Sequence, residues 1–271
     1  MGESSYRKIS VIGAGNVATH LSVALQAKGF PVAQIYSHSL ASAKALAERL
    51  GTDYTNDSRQ IIADADLYFF AVSDSALPEI GKTLPPLPGL WVHTSGSVPM
   101  DVFAEFTDHY SVCYPLQTLS RSREIALDDV PFFVEAHLPE EEAQLMALAS
   151  RLSSKVLRLS SEQRQQLHLA AVIANNFSNH LYVLAAQILE ENHLSFDLIK
   201  PLIRETAAKI EYLHPREAQT GPAARGDAAI IEKHLEMLKG KPELQALYRV
   251  LSESCTLLQS KSEELNVNNP Q

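Results

Sequence analysis

The first half of the chain alternates short apolar runs with segments whose apolar residues recur at helical spacing. The runs are rich in β-branched and aromatic residues and are apolar almost throughout, which is typical of strands buried on both faces. Helical segments separate them, as over residues 16–28 and in ASAKALAERLG. The alternation predicts an α/β domain over residues 1–160, built on a mainly parallel, doubly wound sheet. The predicted strands are KISVIG, VAQIYS, ADLYFFAVS, GLWVHTS and HYSVCYPL, with VPFFVEA and KVLRLS at the edge of the sheet.

The second half of the chain has a different pattern. Apolar residues recur with a period near 3.6 over residues 162–191, and no strong helix breaker interrupts them. We therefore expect an all-α C-terminal domain over residues 161–271. Further helices are predicted at about 195–212, 226–239 and 242–260.

The segment VIGAGNVATHL joins the first predicted strand directly to the first helix. In its G-x-G-x-x-A pattern, Gly13 permits a tight turn, Gly15 leaves room for a pyrophosphate and Ala18 lets helix and strand pack closely. The helix N-terminus then presents free N–H groups to the phosphates. This predicts a Rossmann dinucleotide-binding domain, with a tight turn that binds no nucleotide as the alternative. The predicted cofactor-binding residues here are Gly13, Ala14, Gly15, Asn16 and Val17.

The end of the second strand indicates which dinucleotide is bound. An NAD site usually has an acidic residue about 20 residues after the glycines, bound to the ribose 2′-hydroxyl. No acidic residue occurs from Phe30 to Ala47, and Ser37, His38 and Ser39 stand at that place. Hydroxyls and an imidazole can donate to a 2′-phosphate, so these three residues predict NADP. The alternative is that Ser39 only caps the next helix and His38 is a surface residue.

Small polar residues end the third and fourth strands, in AVSDSAL and HTSGS. Ligands of open α/β sheets bind outside the carboxyl ends of the strands, so both ends are candidate binding positions. Ordinary turns and caps explain the same residues equally well. The predicted residues are Val72, Ser73 and Asp74 for the nicotinamide side, and Thr94, Ser95 and Gly96 for the substrate.

Composition narrows the classes of function. The chain has 23 Lys and Arg against 32 Asp and Glu, and this formal charge of −9 argues against binding nucleic acid or anionic membranes. No apolar stretch reaches the ~18 residues of a membrane span, and MGESSYRK lacks a signal-peptide pattern. Two cysteines, Cys113 and Cys255, fit a reducing cytoplasm, and the scattered histidines show no metal-ligand spacing. We expect a cytoplasmic protein that acts on a small molecule.

Several motifs resemble a known family. VIGAGNVA, AVSDSAL, HTSGS and the helical second half resemble the superfamily of 6-phosphogluconate dehydrogenase, 3-hydroxyacid dehydrogenases and pyrroline-5-carboxylate reductase. YPLQTLS, HLAAVIANNF, TGPAARGD and KHLEML resemble, more closely, bacterial Rossmann-like proteins with a C-terminal domain of unknown function. Members carry the name NADP oxidoreductase, of the deazaflavin-coenzyme-dependent type. The resemblance spans about residues 7–260 and implies a helical domain that forms a homodimer.

The long predicted helix after residue 162 holds candidate catalytic residues. Hydride transfer to or from a C=O or C=N bond needs a proton donor or acceptor nearby. His168 is the candidate acid or base, and Asn176 the candidate for orienting substrate or nicotinamide. The hydroxyacid dehydrogenases carry a lysine on the equivalent helix, but no lysine occurs here between Lys155 and Lys200. The alternative is that both side chains only hydrogen-bond to neighbouring helices or to a second subunit.

The stretch QTGPAARGD concentrates helix breakers and opposite charges within the helical half. Asp227 is a plausible cap of the next helix, whereas the planar fork of Arg225 suits a carboxylate or phosphate. Thr220 and Arg225 are therefore candidate substrate-binding residues, with an ion pair from Arg225 to Asp227 as the alternative. Together the motifs predict an NADP-dependent oxidoreductase acting on a small polar, anionic substrate in a cleft between the domains. The alternative is a catalytically silent NADP-binding protein, acting as a sensor or assembly partner.

Overall fold

The computed structural model describes residues 6–267, and their side chains up to residue 258. The chain divides into two compact units, Met1–Asn176 and Phe177–Gln271. The first unit contains an eight-stranded sheet, and the second is helical throughout its regular elements.

The sheet has the strand order β3-β2-β1-β4-β5-β6-β7-β8. Neighbouring strands are parallel except β6 and β7, which are antiparallel. Chain direction therefore brings the carboxyl ends of the first six strands to one edge. The strands are β1 (Ile9–Ile12), β2 (Val32–Tyr36), β3 (Asp53–Thr55), β4 (Leu67–Phe70), β5 (Leu90–His93), β6 (Tyr110–Pro115), β7 (Phe132–Ala136) and β8 (Val156–Arg158).

Helices cover both faces of this sheet. Because side chains alternate along a strand, Ile9 and Val11 of β1 join one buried cluster, which includes Leu21, whereas Ile12 joins a second cluster with Phe103. The structure thus confirms the doubly wound α/β fold predicted from the apolar runs. The helices of the first unit are α1 (Asn16–Ala27), α2 (Leu40–Leu50), α3 (Leu77–Thr83), α4 (Pro139–Leu152) and α5 (Ser161–Ala171).

The predicted helix over residues 162–191 is not one regular helix. A π-helix, Val172–Phe177, interrupts it, so the 3.6-residue period does not continue through Asn175 and Asn176. The regular helical spacing predicted between His168 and Asn176 therefore does not hold across this segment. The α-helices after it are α6 (Ser178–Glu191), α7 (Lys200–Lys209), α8 (Pro215–Ala218), α9 (Ala228–Met237) and α10 (Pro242–Val267).

One strand was missed by the sequence pattern. β3 is only Asp53–Thr55, and two of its three residues are exposed, so it gives no apolar run. It pairs in parallel with β2 and extends the sheet beyond the first glycine-rich turn. Within the range that the structure covers, no helix combines the length and the apolar character needed to cross a membrane.

Candidate functional site

A cleft of about 1000 Å³ lies at the carboxyl edge of the sheet, and all of its lining residues belong to the first unit. Loops that follow β1 to β5 supply most of the lining. Tyr114, near the end of β6, and His168, on α5, complete it. This is the edge at which open α/β sheets bind their ligands.

Gly13 makes the turn between β1 and α1. Its φ of +122° is a backbone conformation that side chains other than glycine rarely adopt, and its N–H donates to the Tyr36 carbonyl at 2.7 Å. A Cβ at this position would lie 2.2 Å from the carbonyl oxygen of Ala71. The neighbouring strand β4 therefore excludes every side chain here, and the turn brings the start of α1 to the mouth of the cleft.

Gly15 leaves the N-terminus of α1 open. It precedes the helix, offers no side chain to cap it, and a Cβ built on it would meet no atom within 4 Å. The first N–H groups of an α-helix have no partner within the helix, so they are available to an anion. Ala18 is fully buried one turn later, which keeps α1 close to the sheet. The turn thus combines free donors with space, and Ala14, Asn16 and Val17 line the same part of the cleft.

At the end of β2, two of the three predicted residues line the cleft. Ser37 and His38 face it, whereas Ser39 lies outside the lining. The Ser39 hydroxyl accepts the backbone N–H of Ser42 at 3.3 Å, which makes Ser39 the N-cap of α2. The helix-capping alternative weighed for Ser39 is therefore the geometry observed.

The loop after β3 supplies lining residues that the sequence pattern did not reveal: Asn56, Asp57 and Ser58. The Arg59 guanidinium donates to both oxygens of the Asp57 carboxylate, at 2.9 and 2.8 Å. These hydrogen bonds hold the pKa of Asp57 below its ordinary value. An acid therefore does stand near Ser37 and His38, but with its charge paired. The turn-forming stretch NDSR was the available signal, and it was overlooked because β3 itself was.

The end of β4 contributes Val72, Ser73 and Asp74 to the lining, as predicted from AVSDSAL. The Asp74 carboxylate accepts a hydrogen bond from the Ser97 hydroxyl, which ties the β4 loop to the β5 loop. α3, which begins just after this loop, adds lining residues of its own. These are Glu79, Ile80 and Thr83.

Thr94, Ser95 and Gly96 at the end of β5 also line the cleft. The Ser95 hydroxyl accepts the N–H groups of Ser97 and Val98, at 3.1 and 3.0 Å. Ser95 is therefore engaged in holding its own loop, as the turn interpretation of HTSGS allowed. Its small side chain is buried, which leaves less of it available to a bound molecule.

His93 is buried directly beneath this loop. Burial, and secondarily the nearby Arg164 charge, lowers the pKa of His93 to about 3. Its Nδ1 accepts the N–H of Ser95 at 3.2 Å, so the neutral ring carries its hydrogen on Nε2, which faces the Pro99 carbonyl at 3.2 Å. His93 thus remains neutral at physiological pH and fixes the loop.

Tyr114 and His168 meet at the inner end of the cleft. The Tyr114 hydroxyl lies 3.1 Å from Nδ1 of His168, with the two rings nearly perpendicular. Gly96 makes this approach possible, because a Cβ there would lie 2.6 Å from His168 Nδ1 and 2.7 Å from Tyr114 Cζ. The sequence analysis selected His168 but missed Tyr114, although YPLQTLS was among the motifs that it singled out.

A buried ion pair fixes α5 to the sheet one turn before His168. Arg164 is 1% exposed, donates to the Glu135 carboxylate of β7 at 2.6 Å and to the Val98 carbonyl at 2.6 Å. Ser161 donates to the same carboxylate at 2.8 Å. The network joins β7, the β5 loop and α5, and so positions the imidazole of His168.

The remaining predicted residues do not line this cleft. Asn176 is exposed within the π-helix. Thr220 and Arg225 are exposed residues of the second unit, in a loop where Gly221 has a φ of +110°. Asp227 caps α9 by accepting the N–H of Ile230 at 3.2 Å, as expected from the sequence.

Comparison with known proteins finds a matching family for each half of the chain. Residues 3–118 match a family described as a Rossmann-like domain, and residues 130–255 match a domain of unknown function, DUF2520. The chain matches no curated protein.

Solved structures extend this result. A "putative NADP oxidoreductase" from Bacteroides fragilis is 45% identical, with 93% of this chain and 98% of that chain covered and a TM-score of 0.87. A Thermotoga maritima protein is 22% identical, with 94% and 99% covered and a TM-score of 0.71. A Streptococcus pyogenes 1-pyrroline-5-carboxylate reductase is 14% identical, with 92% and 98% covered and a TM-score of 0.60. The last two show the fold alone.

These matches confirm the resemblance drawn from YPLQTLS, HLAAVIANNF and TGPAARGD. The chain has a Rossmann-like nucleotide-binding fold of the kind found in reductases, followed by a helical DUF2520 region. It belongs to the same family as the Bacteroides fragilis protein.

Proposed function

We propose that this protein binds NADP(H) in the cleft and catalyses hydride transfer between the nicotinamide and a small polar substrate. One observation supports it above the others: the uncapped N-terminus of α1 opens onto the same cleft as Tyr114 and His168. The name of the Bacteroides fragilis relative agrees with this activity.

The residues at the glycine turn fit the pyrophosphate of a dinucleotide. Gly15 leaves open the space that a Cβ would fill, and the free N–H groups of α1 adjoin that space. Gly13 cannot change without a clash, whereas Gly15 has ordinary dihedral angles and no close neighbour. The openness at Gly15 is thus not needed for folding, and phosphate binding accounts for it.

The β2 end supports NADP rather than NAD. Ser37 and His38 line the cleft without an acidic residue at the end of β2, so they are free to donate to a 2′-phosphate. Among the described residues, Asp57 is the one carboxylate that lines the cleft at this end, and Arg59 neutralises its charge. Bound NADPH would supply the hydride, and His168 would exchange the accompanying proton.

The charge of the lining bears on the substrate. Within the described part of the chain, the lining includes Asp57, Asp74 and Glu79 but no lysine or arginine. The sequence alone favoured an anionic substrate, on the strength of Arg225. Asp57 is paired with Arg59 and Glu79 with Lys82, so Asp74 is the remaining lining carboxylate. The lining favours an uncharged carbonyl or imine compound instead, because it offers an anionic substrate Asp74 and no lysine or arginine, whereas the cofactor phosphates would bind at the N-terminus of α1. Arg225 and Thr220 remain predictions for the second unit.

The test uses the full-length protein titrated with NADPH and NADH, followed by fluorescence. We expect NADPH to bind at least about tenfold more tightly, the equivalent of about 1.4 kcal/mol. Gly15→Val should abolish binding by filling the phosphate space, while the free energy of unfolding stays within about 0.5 kcal/mol. Equal binding by Gly15→Val and the wild type would refute the proposed cofactor site.

Turnover is tested by the loss of nicotinamide absorbance, with small aldehydes, ketones and cyclic imines as candidate substrates.

One specific observation favours the second candidate function, a catalytically silent NADP-binding protein. No lysine occurs between Lys155 and Lys200, where the hydroxyacid dehydrogenases carry theirs. Tight NADPH binding without turnover of any of these compounds would favour that function.

We also propose that the second unit forms a homodimer. Its helices leave large apolar side chains exposed, including Leu202, Met237 and Val250 at 66%, 72% and 61%. Large exposed apolar surfaces on soluble proteins mark association sites, and C2 dimers are the commonest closed assemblies. Sedimentation velocity at micromolar concentration should therefore show a dimer.

A further inference from the structure

The hydrogen bond between Tyr114 and His168 assigns the two nitrogens of the imidazole. Nδ1 is engaged by the Tyr114 hydroxyl at 3.1 Å. Among the residues that the structure describes, Nε2 has no hydrogen-bond partner, and the His168 side chain lines the cleft. Nε2 is therefore the ring nitrogen available to a bound molecule.

Burial keeps the Tyr114 phenol in its protonated form. Tyr114 is 9% exposed, and its burial raises the pKa of the phenol above its ordinary value. A protonated phenol can donate to a bare Nδ1 or accept from Nδ1–H. A general acid that gives and regains its proton at Nε2 must keep the hydrogen of Nδ1 in place. The consistent arrangement is therefore Nδ1–H donating to the Tyr114 oxygen in both the neutral and the imidazolium form.

The surroundings hold this arrangement from several elements. Gly96 of the β5 loop supplies the space in which the two rings meet, and Arg164 fixes α5 one turn before His168. The charged groups that act on Tyr114 are Arg164 on α5 and Asp74 on the β4 loop. Arg164 is bound to Glu135, so Asp74 is the carboxylate whose charge acts on Tyr114.

We propose that Tyr114 is the positioning residue of His168, holding Nδ1 so that Nε2–H delivers the proton that accompanies hydride transfer. The inference rests on the proposed function. In the reducing direction, hydride adds to the carbon of a C=O or C=N bond, and the π electron pair moves to the oxygen or nitrogen. That atom takes the proton from Nε2 of the imidazolium. The imidazole is left neutral, with its remaining hydrogen on Nδ1 donated to the Tyr114 oxygen.

The chain offers a matched control for this pair. The Tyr110 hydroxyl lies 3.0 Å from Nδ1 of His137, and neither residue lines the cleft. Tyr110→Phe therefore removes the same type of hydrogen bond from the same unit without touching the candidate site. Any general effect of losing a Tyr–His bond should appear in both variants.

The first experiment records the ¹⁵N NMR spectrum of histidine-labelled full-length protein. In the wild type we expect the neutral His168 ring as the Nδ1–H tautomer, with Nδ1 donating to Tyr114 and Nε2 without hydrogen. Tyr114→Phe should convert it to a mixture of tautomers, while Tyr110→Phe should change His137 alone. An unchanged His168 signal in Tyr114→Phe would overturn the proposal, whether or not a substrate is known.

The second experiment uses the carbonyl or imine compound that turns over fastest with NADPH. His168→Gln should lower kcat by about 10²- to 10⁴-fold, the usual contribution of a general acid. Tyr114→Phe should lower kcat by about tenfold and displace the pH profile, and should add no loss in the His168→Gln background. Additive losses, or an unmoved pH profile in Tyr114→Phe, would overturn the positioning role.

NADPH titration of the same variants separates the two proposals. Tyr114→Phe and His168→Gln should bind NADPH within about twofold of the wild type, because the phosphate site lies at α1. If the wild type itself fails to bind NADPH, the proposed function is refuted, and with it the catalytic role of the pair. If binding persists and only the tautomer result fails, the proposed function stands and the inference about Tyr114 is refuted.

Discussion

The two compact units differ in how they bury their apolar residues. In the first unit, the sheet carries a buried cluster on each face, and residues such as Ile9, Ile12 and Phe103 are fully buried. In the second unit, Leu235 is the only buried hydrophobic residue among the side chains that the structure describes. A fold specified by its own core is thus joined to one whose helices keep apolar faces in solvent. The comparison indicates that the site depends on the first unit's packing, and it agrees with the proposed association of the second unit.

The buried pair of Arg164 and Glu135 offers the strongest test of how far the first unit depends on its buried interactions. Glu135→Ala leaves the Arg164 charge buried without its partner, which should cost about 3–5 kcal/mol of unfolding free energy. The control is Glu142→Ala, which removes the partner of Arg158 from an exposed pair and should cost about 0–1 kcal/mol. Urea denaturation measures both. Similar losses in the two variants would contradict a packing-specified first unit.

Acid stability should depend on His93, again in the first unit. Its pKa in the folded state, about 3, lies below the unfolded value of 6.5, so between those values the unfolded chain binds more protons. Stability should therefore fall as pH falls through this window, by about 1.4 kcal/mol per pH unit from this group alone, or about 2.8 kcal/mol over two units. His93→Gln should flatten the slope by that amount in urea titrations between pH 4 and 6. An unchanged slope would show that His93 is not held neutral.

Cofactor preference tests the chemistry that the first unit's edge supports. His38→Asp places a carboxylate where a 2′-phosphate would bind, so NADPH affinity should fall about thirtyfold, the equivalent of about 2 kcal/mol. NADH affinity should hold or rise. Fluorescence titration measures both, with Arg158→Ala as a surface-charge control outside the cleft lining. Unchanged NADPH affinity would refute the 2′-phosphate assignment.

The proposed homodimer of the second unit can be tested through its exposed apolar residues. Leu202→Asp puts a charge on an exposed apolar position of α7, and should weaken a dimer at least about tenfold, or about 1.4 kcal/mol. Arg204→Asp is the matched control, because two residues along an α-helix is about 200° of rotation. Sedimentation velocity should show dissociation of the Leu202 variant alone. A wild type that stays monomeric would refute the proposed homodimer.

Helix caps should have small and equal effects in both units, because a cap acts locally. Ser39→Ala removes the cap of α2 and Asp227→Ala that of α9, and each should cost about 1 kcal/mol. Ser39→Ala should also leave NADPH affinity unchanged, since the side chain lies outside the cleft lining. Thermal denaturation and NADPH titration decide both points. A loss of affinity in Ser39→Ala would restore Ser39 as a cofactor residue.

The sequence predicts the first unit well because its determinants are local. Buried strands such as β4 are continuous apolar runs, and the turn at Gly13 depends on a glycine that a pattern can recognise. The sequence pattern did not predict β3, because a three-residue edge strand with two exposed residues leaves no apolar period. Asp57, in the loop after β3, was missed for the same reason. The sequence pattern did not predict the π-helix either, because one wider turn changes the apolar period too little to be detected.

The candidate site shows a different limit. The proposed cofactor residues fall directly after strands, so their position could be predicted from the sequence, and Gly15, His38 and Asp74 line the cleft. The bond between Tyr114 and His168 joins residues 54 positions apart, and no spacing rule connects them. Only the parallel order of β5 and β6, with α5 beside them, brings these rings together.

Gly96 has a consequence for any effort to re-engineer this cleft. The rings of Tyr114 and His168 fill the space that a side chain at Gly96 would need, so even alanine would force the two rings apart. A saturation library at this position should therefore return glycine alone among active clones. Substrate range is better altered at α3, where Ile80 and Thr83 line the cleft and take no part in the Tyr–His bond. The close approach of the two rings to Gly96 thus marks a position from which the proposed specificity cannot be redesigned.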